Sequence, residues 1–496
     1  MTRTSKIVLP AVALLLGTVF IAVAHLRLID GDEGFYLLAA KLVFHGKVLY
    51  RDFFYTQMPM LPFAYGSWMR IAGETWSSAR LLSGLLAATL GCLLYCHVTR
   101  NTDSWLAGCL AALLFASSTP VVVWFTTVKT YSISTLLLFG AYMAVWEGSG
   151  KWTLALSGLL FALSVDCRLY LAGIAPVLLF SINHLRAAYP NRRIAYSWFF
   201  GGLALGLSPN LYWIVQDPTN YYFNNLGYHA VRSGAGLVGA YGQKIETLFE
   251  VSGLIVSKEA NGLPFGFLLL MNSAYFLTQR RPPGPRVWLA MQIAAALILL
   301  SVLPTPSFQQ YYSVATPFLI VGAVTFAWDS TQPKPRLLAL AVVLIMNLSL
   351  IPSDLRRYTS TGVGLLVMGP ERAMNWQLPT VRAISREVDR QVTPGEFVLS
   401  FWPGYLFESH AECFPGMETH VGLSVASKLT AAQLTQYRIL SIAGVDAALK
   451  RRMPCVVVLG NQESMLVDGA PFDRMLQLRG YRVSYALGHT SIYTCR

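Results

Sequence analysis

Two acidic residues stand together directly after the first apolar stretch of the chain. Asp32 and Glu33 lie in the segment 29–36, and Asp30 precedes them in the same segment. Neighbouring carboxylates repel each other, so each raises the pKa of the other unless a cation, a metal ion or a proton donor joins them. Such a pair suits a general base or a set of metal ligands at the boundary between water and lipid. The same spacing also fits a solvated loop charge, and the residues alone leave both interpretations open.

Three basic residues near the ends of apolar stretches could bind an anion such as a lipid phosphate. Arg80 begins the second stretch, Arg168 lies between two later ones, and Lys129 stands near the start of the fourth. Cations can stabilise a phosphate leaving group, and arginine often does so through paired hydrogen bonds. An arginine at the end of a span is also often an anchor that reaches toward the lipid headgroups. Asp166 could serve only to neutralise Arg168.

The composition indicates that membrane-spanning helices position these residues. Of the 496 residues, 54% are hydrophobic and only 13% are charged, and the mean hydropathy is +0.48. A soluble globular domain usually carries about a quarter charged residues. Apolar stretches of membrane-spanning length recur from residue 7 to residue 352. The pattern excludes a soluble enzyme, a disordered chain, a fibre and a small disulfide-stapled secreted domain.

About 20 apolar residues cross a bilayer as one helix, and on this basis the sequence predicts eleven spans. They lie near 7–26, 81–98, 105–118, 122–146, 153–165, 169–183, 195–215, 263–279, 287–303, 311–327 and 337–351. Every loop that this count places inside holds at least one cation, as the positive-inside rule requires. These cations are Arg100, Lys151, Arg186, Arg192, Arg193, Arg280, Arg281, Arg286, Lys334 and Arg336. We therefore expect the amino terminus in the cytoplasm and the loop 27–80 and the carboxyl-terminal tail outside.

The same topology accounts for the net charge of +13. A basic chain can attract nucleic acid, but most of this charge lies before Pro352, mainly in the short loops predicted to face the cytoplasm. We therefore expect no nucleic-acid partner.

The chain changes character after the last predicted span. The pattern predicts helices at 381–390, 430–449 and 473–478 and strands at 396–401, 455–459, 482–486 and 491–494. Strands that alternate with helices indicate a small α/β domain. We expect a polytopic α-helical membrane domain over 1–352 and an extracytoplasmic α/β domain over 353–496. In this tail, one pair among Cys413, Cys455 and Cys495 could form a disulfide if the tail lies outside the cytoplasm.

The order of motifs in the first outer loop resembles that of the polyprenyl-phosphate-dependent membrane glycosyltransferases of the GT-C class. The class includes the protein O-mannosyltransferases and the aminoarabinose transferases of lipid A. The motifs are the acidic pair Asp32-Glu33 followed by Phe35-Tyr36, Gly46 before a short extended piece, the segment Met58-Pro59-Met60-Leu61-Pro62, and Arg80 at the head of the second span. The combination is fairly specific, whereas each piece alone is weak.

The resemblance implies an enzyme in a bacterial plasma membrane. It would move a sugar, a hexose or a pentose, from a polyprenyl-phosphate carrier to a lipid, glycan or protein acceptor on the outer face, in contact with membrane lipids. Position by position, Asp32 matches the catalytic acid, which would act as the general base, and Glu33 matches its neighbour; we expect both to be catalytic residues. The remaining expected site residues are Arg80, Arg168 and Lys129 for the donor phosphate, and Tyr36, Asp52, Gln310 and Tyr311 for the donor and acceptor pocket. A loop-capping role for Asp52 and an ordinary aromatic belt at Tyr311 fit equally well.

Two positions depart from the pattern of the class. Relatives often carry an acid at the start of the fourth span, where this chain has Lys129. Some relatives have a Lys or His before the proline-containing segment, where this chain has Gln57 and Met58. Both departures put a metal site in doubt. A divalent metal ion is therefore left open as a cofactor, and no ligands are assigned to it.

Two other function classes compete with the enzyme. A transporter or flippase of lipid-linked sugars would carry polar residues at mid-membrane depth and inverted repeats with interrupted helices. The polar cluster at one membrane edge and the lack of an evident repeat favour the enzyme. A non-catalytic subunit of envelope assembly is the third interpretation, because of the departures from the class.

Overall fold

The computed structural model describes residues 3–147, 150–184, 191–233, 240–256, 261–278, 283–328, 333–362, 368–460 and 472–496. Arg186, Arg280 and Arg281, which the sequence predicts in inner loops, lie outside these described residues. A largely apolar helical part comes first and a small unit with a sheet follows. The predicted fold class is confirmed.

Helices make up the first part of the chain. They are α1 (Arg3–Leu26), α2 (Glu33–Phe44), α3 (Met60–Ala72), α4 (Trp76–Thr102), α5 (Trp105–Ser117), α6 (Thr119–Trp124), α7 (Thr130–Glu147), α8 (Lys151–Cys167), α9 (Ala175–His184), α10 (Arg192–Leu207), α11 (Asn210–Gln216), α12 (Pro218–Tyr222), α13 (Tyr228–Ser233), α14 (Tyr241–Ser252), α15 (Leu263–Thr278), α16 (Pro285–Val302), α17 (Thr316–Trp328) and α18 (Pro333–Arg356). Short 3-10 segments precede α9 and α17, at Leu169–Ile174 and Gln309–Ala315.

A helix lies at each of the eleven predicted spans. In the described part of the chain, five helices are long and apolar enough to cross a bilayer: Arg3–Leu26, Trp76–Thr102, Pro285–Val302, Gln309–Trp328 and Lys334–Thr361. Shorter apolar helices are Trp105–Ser117, Thr130–Trp146, Leu169–His184 and Leu263–Thr278. The predicted span 122–146 is split between α6 and α7, because the polar segment 125–129 leaves the helical path. The number of crossings stays a prediction.

Glycines allow two of these helices to touch along their backbones. A Cβ atom on Gly158 of α8 would collide with the carbonyl oxygen of Phe199 in α10, and one on Gly202 of α10 would collide with that of Ala155 in α8. Small residues permit such close approach of helices in membranes. The contact joins α10 to the first half of α8, the helix that Arg168 follows.

The loop between α1 and α4 packs against the carboxyl-terminal unit. Gly34 of α2 lies so close to the backbone of Gly404 that a Cβ atom would come within 2.7 Å of the Gly404 nitrogen. The indole nitrogen of Trp402 donates a hydrogen bond to the carbonyl oxygen of Gly31 at 2.8 Å. Nζ of Lys41 likewise donates to the carbonyl oxygen of Ser409 at 2.6 Å. Contacts from the carboxyl-terminal unit therefore hold the acidic loop and α2.

The carboxyl-terminal unit contains the predicted sheet. Its elements are α19 (Gly369–Arg372), α20 (Leu378–Gln391), β1 (Phe397–Ser400), α21 (Gly404–Phe407), β2 (Glu412–Cys413), α22 (Leu423–Ala426), α23 (Ala431–Gln436), α24 (Ile442–Lys450), β3 (Val456–Leu459), α25 (Phe472–Leu478), β4 (Arg482–Leu487) and β5 (Thr490–Thr494). The strand order is β2-β1-β3-β5-β4. Strand β1 runs parallel to β2 and β3, and β5 runs antiparallel to β3 and β4.

Several details of this unit differ from the sequence prediction, which does not contain the short helices α19, α21 and α22. The single helix predicted at 430–449 is wrong, because the chain forms α23 and α24 with a turn between them, where Arg438 has a φ of 59°. The two-residue strand β2 was not predicted, since so short a strand carries no alternation of apolar and polar residues. Helix α18 also continues to Arg356, past the expected domain boundary after residue 352, and the boundary itself stays a prediction.

A disulfide joins Cys455, just before β3, to Cys495, just after β5. Cys413 is buried and free. Disulfides persist mainly in oxidising compartments. The bond therefore supports the expectation that the tail lies outside the cytoplasm.

The disulfide gives a direct test of sidedness. In intact cells treated with a membrane-impermeant reductant, we expect a membrane-impermeant maleimide to label Cys455 and Cys495, and to label neither without reduction. The double variant Cys455→Ser/Cys495→Ser is the control and should show no labelling of this kind. Labelling that appears only when the reagent has access to the cytoplasmic face would contradict the orientation.

Candidate functional site

A cavity of about 310 Å³ lies where the ends of several helices meet the carboxyl-terminal unit. Six of the predicted site residues line it: Asp32, Tyr36, Lys129, Arg168, Gln310 and Tyr311. They come from the loop after α1, the start of α2, the segment before α7, the residue after α8 and the 3-10 segment before α17. The fold thus brings residues that are far apart in the sequence to one end of the helical part.

Lys129 is the centre of the polar contacts in this cavity. Its Nζ lies 2.8 Å from Oδ1 of Asp30, 3.0 Å from Oδ2 of Asp32 and 3.1 Å from Oε1 of Gln310. The side chain of Lys129 is 5% exposed, whereas that of Asp32 is 38% exposed. Asp32 is therefore both paired with a cation and open to a molecule in the cavity.

The charge state of Asp32 follows from its neighbours. Enclosure by the protein would by itself raise its pKa, but the positive charge of Lys129, together with the hydrogen bond from Lys129 and the charge of Arg232, outweighs this effect. The net result is a pKa of Asp32 below its ordinary value. Asp32 is consequently a carboxylate at neutral pH and can accept a hydrogen bond or a proton.

Arg168 presents a cation from another wall of the cavity. Its Nη1 donates a hydrogen bond to Oγ1 of Thr130 at 2.9 Å. The guanidinium carbon lies 4.3 Å from the ring centroid of Tyr131 and 5.2 Å from that of Tyr311, which are cation–π contacts. Its Nε has no hydrogen-bond partner among the described residues. The aromatic rings hold the group in place and leave part of its donor capacity for an anion.

Asp166 does not neutralise this arginine. Its Oδ1 accepts a hydrogen bond from Nδ2 of Asn210 at 2.7 Å, and no ion pair links Arg168 to an acid within the described ranges. The interpretation of Arg168 as a cation balanced by its sequence neighbour is therefore not supported.

Glu33 and Arg80 form a buried ion pair away from the cavity. Nη2 of Arg80 lies 2.9 Å from Oε1 of Glu33, and both side chains are 0% exposed. Glu33 also accepts hydrogen bonds from the backbone N–H groups of Asp30 at 2.7 Å and Val128 at 3.1 Å. Arg80 donates to the carbonyl oxygen of Arg27 at 2.8 Å. The pair joins α2 and α4 to the two segments that carry Asp32 and Lys129.

This burial predicts a loss of stability when the pair is broken. Replacing Glu33 by Gln leaves the Arg80 charge buried without its partner, which typically costs about 3–5 kcal/mol. We expect a clearly lower unfolding temperature of the purified protein in detergent, measured by tryptophan fluorescence. The exposed Glu371 provides the matched control, since Glu371→Gln should leave that temperature unchanged. Unchanged stability of Glu33→Gln together with lost activity would contradict a structural role.

Solved structures share this architecture over the whole chain. The structure of ArnT from Cupriavidus metallidurans bound to undecaprenyl phosphate has a TM-score of 0.68 at 13% identity, and the match covers 100% of this chain and 99% of that one. The oligosaccharyltransferase of Archaeoglobus fulgidus in the apo form gives a TM-score of 0.53 at 13% identity, over 100% of this chain and 75% of that one. The chain has the GT-C fold. No protein-family model and no curated protein matches the sequence.

The GT-C fold of this chain also places residues in the cavity that the sequence analysis did not predict. His420 comes from the carboxyl-terminal unit, is buried, and packs edge-on against Phe35 with ring centroids 5.7 Å apart. Burial lowers the pKa of His420 to about 4, so the ring is neutral at pH 7. Arg232 is exposed at the rim, beside His229. No spacing signal in the sequence could have found these residues. His420 lies more than a hundred positions after Tyr311, and Arg232 belongs to none of the motifs on which the resemblance rests.

His229 and Asp52 have clear local partners. Nε2 of His229 donates a hydrogen bond to the carbonyl oxygen of Thr56 at 3.2 Å, and burial lowers its pKa to about 4. Asp52 accepts a hydrogen bond from the backbone N–H of Val48 at 2.7 Å and pairs with Arg51 at 2.8 Å. It does not line the cavity. Its contacts are those of a loop-capping residue.

Metal-binding groups can be judged for the part of the chain that the structure describes. There, no set of three or more His, Cys, Asp or Glu side chains is placed to hold a metal ion. Another structure of the GT-C fold, the Archaeoglobus fulgidus oligosaccharyltransferase in complex with Zn and sulfate, has a TM-score of 0.52 at 14% identity, over 97% of this chain and 73% of that one.

Proposed function

We propose that this protein is a glycosyltransferase that moves a sugar from a polyprenyl-phosphate carrier to a lipid, glycan or protein acceptor. The observation that carries the proposal is that one cavity holds an ionised and partly exposed Asp32, its ion-pair partner Lys129 and, on another wall, the cation Arg168. This is the set of groups that transfer from a lipid phosphate requires. A match over the full chain to a protein that binds undecaprenyl phosphate supports it.

The chemistry assigns a separate role to each wall of the cavity. Asp32 accepts the proton of the acceptor hydroxyl or amine as that atom attacks the anomeric carbon of the sugar. The bond between the anomeric carbon and the phosphate oxygen breaks, and its electron pair remains on the phosphate. Arg168 stabilises the growing negative charge through charge-assisted hydrogen bonds. Lys129 holds Asp32 in place, and the rings of Tyr36 and Tyr311 form apolar surfaces for the sugar or the acceptor.

For Glu33 and Arg80 we propose a positioning role in place of the direct contact with substrate that the resemblance implies. Every polar contact of Glu33 described above is made to the protein, and the side chains of both residues are fully buried. Their removal would displace the segments that carry Asp32 and Lys129.

We place the reaction on the outer face of a bacterial plasma membrane, with the amino terminus in the cytoplasm. The loop cations on the predicted inner side and the disulfide in the tail support this orientation. The cavity lies where the acidic loop meets the tail, so it would open on the same outer side.

The function is tested with purified protein in liposomes that contain a panel of polyprenyl-phosphate sugars, hexoses and pentoses alike. Candidate lipid, glycan and peptide acceptors are added, and mass spectrometry follows the products. We expect sugar-bearing acceptor and free polyprenyl phosphate in equal amounts. Movement of the intact lipid-linked sugar across the bilayer without transfer would contradict the proposal and favour a transporter.

A further inference from the structure

We propose that the ammonium group of Lys129 takes the place of a divalent metal ion, so that the transfer proceeds without one. The inference rests on the proposed function and deepens it. Asp30, Asp32 and Gln310 converge with three side-chain oxygens, and oxygens of this kind are the ligands that Mg²⁺ and Mn²⁺ prefer. The point toward which they converge is filled by Nζ of Lys129, at 2.8 to 3.1 Å from each oxygen.

The residues present do not fit a divalent ion in addition to this lysine. An ion that bridged the two carboxylates would need oxygen distances of about 2.0–2.6 Å, and it would therefore lie in contact with the ammonium group. Two cations at that separation repel strongly in a partly buried site. The lysine is also held in place, because its side chain is 5% exposed and Nζ lies 5.6 Å from the ring centroid of Trp124.

The neighbouring acids cannot complete a metal site in another way. Glu33 is the next carboxylate along the chain, and its oxygens are occupied by Arg80 and by two backbone N–H groups. His420 lines the same cavity, but it belongs to no group of three or more His, Cys, Asp or Glu side chains placed around one ion in the described residues. Within the described residues the ligands for an ion beside Lys129 are therefore missing.

The positive charge that a metal ion would supply is present in two side chains. Lys129 and Arg168 line the same cavity, and each carries one unit of positive charge toward it. Together they match the charge of one divalent ion. The two cations have separate roles: Lys129 orients Asp32, and Arg168 remains available to bind the donor phosphate.

Binding of Mn²⁺ measured by electron paramagnetic resonance tests the inference without any need for turnover. The wild-type protein, freed of metals by chelation, should bind no stoichiometric Mn²⁺ in the millimolar range or below. In a folded Lys129→Ala variant the three oxygens are released, and we expect one Mn²⁺ to bind. The additional change Asp30→Asn should abolish that binding, which assigns the ion to this position.

Several results would overturn the inference. One Mn²⁺ bound by the wild-type protein and lost in Asp30→Asn would do so, as would a folded Lys129→Ala variant that binds none. If Lys129→Ala does not fold, the wild-type titration decides alone. Where a sugar donor is found, turnover with EDTA should stay within about twofold of that without it, and loss of turnover restored by Mn²⁺ would refute the inference. If no donor is used at all, the proposed function fails, while the binding data still judge the role of Lys129.

Discussion

Asp32→Asn should reduce sugar transfer by about 100- to 10,000-fold, the range that a general base contributes. The amide that replaces the carboxylate has nearly the same shape but cannot accept the proton of the acceptor. Because Asp32 is partly exposed and Lys129 retains Asp30 as a partner, we expect the variant to fold normally. Initial rates in liposomes and the unfolding temperature in detergent measure the two quantities separately.

The matched control for this variant is Asp103→Asn. Asp103 is exposed in the turn between α4 and α5, where its φ of 51° is also accessible to Asn. Its replacement should change neither the rate nor the stability. Full activity of Asp32→Asn would remove the assignment of the base.

The lowered pKa of Asp32 predicts how the rate of transfer depends on pH, and this dependence distinguishes Asp32 from other candidate bases. Its carboxylate form is present above this pKa and is lost as the pH falls through it, so the rate should decline only in acid, below the ordinary range of an aspartate. A decline centred near neutral pH would indicate that another group is the base.

Arg168→Ala should lower the rate by about 100- to 1,000-fold, as the loss of one group that stabilises the transition state usually does. The arginine is the cavity cation whose Nε lacks a protein partner in the described structure, so a donor phosphate is the contact we assign to it. We therefore expect the KM for the lipid donor to rise more than the KM for the acceptor. Steady-state rates over a grid of donor and acceptor concentrations separate the two.

Two further variants sharpen this test. Arg168→Lys keeps the charge but loses the planar group that stacks on Tyr131, and it should recover only part of the activity. Arg474→Ala removes an exposed arginine of α25 and should have no effect. Equal changes in the KM values for donor and acceptor would argue against a phosphate contact.

The sequence predicted the local features of this protein well because they depend on neighbouring residues. Apolar stretches of the length of a bilayer predicted the positions of the helices of the first part, and short strand-like patterns, one of them the fully apolar run at 455–459, predicted four of the five strands. Asp32 stood out because acidic residues are concentrated directly after the first apolar stretch, and Arg168 because it is a cation at the end of a span on the side where the positive-inside rule does not expect one. Whether they carry the chemistry stays a prediction for the experiments above.

The partner of each charge, in contrast, was decided only by the tertiary structure. Asp32 and Glu33 are adjacent in the sequence, yet the first lines a cavity and the second is sealed against Arg80 from another helix. The pairing of Lys129 with Asp30 joins residues 99 positions apart, and His420 reaches the same cavity from the carboxyl-terminal unit. The hydropathy of a membrane helix depends on consecutive residues, and it can therefore be recognised in the sequence. Ion pairs depend on which helix ends meet in space, and that is fixed by the packing of the whole molecule.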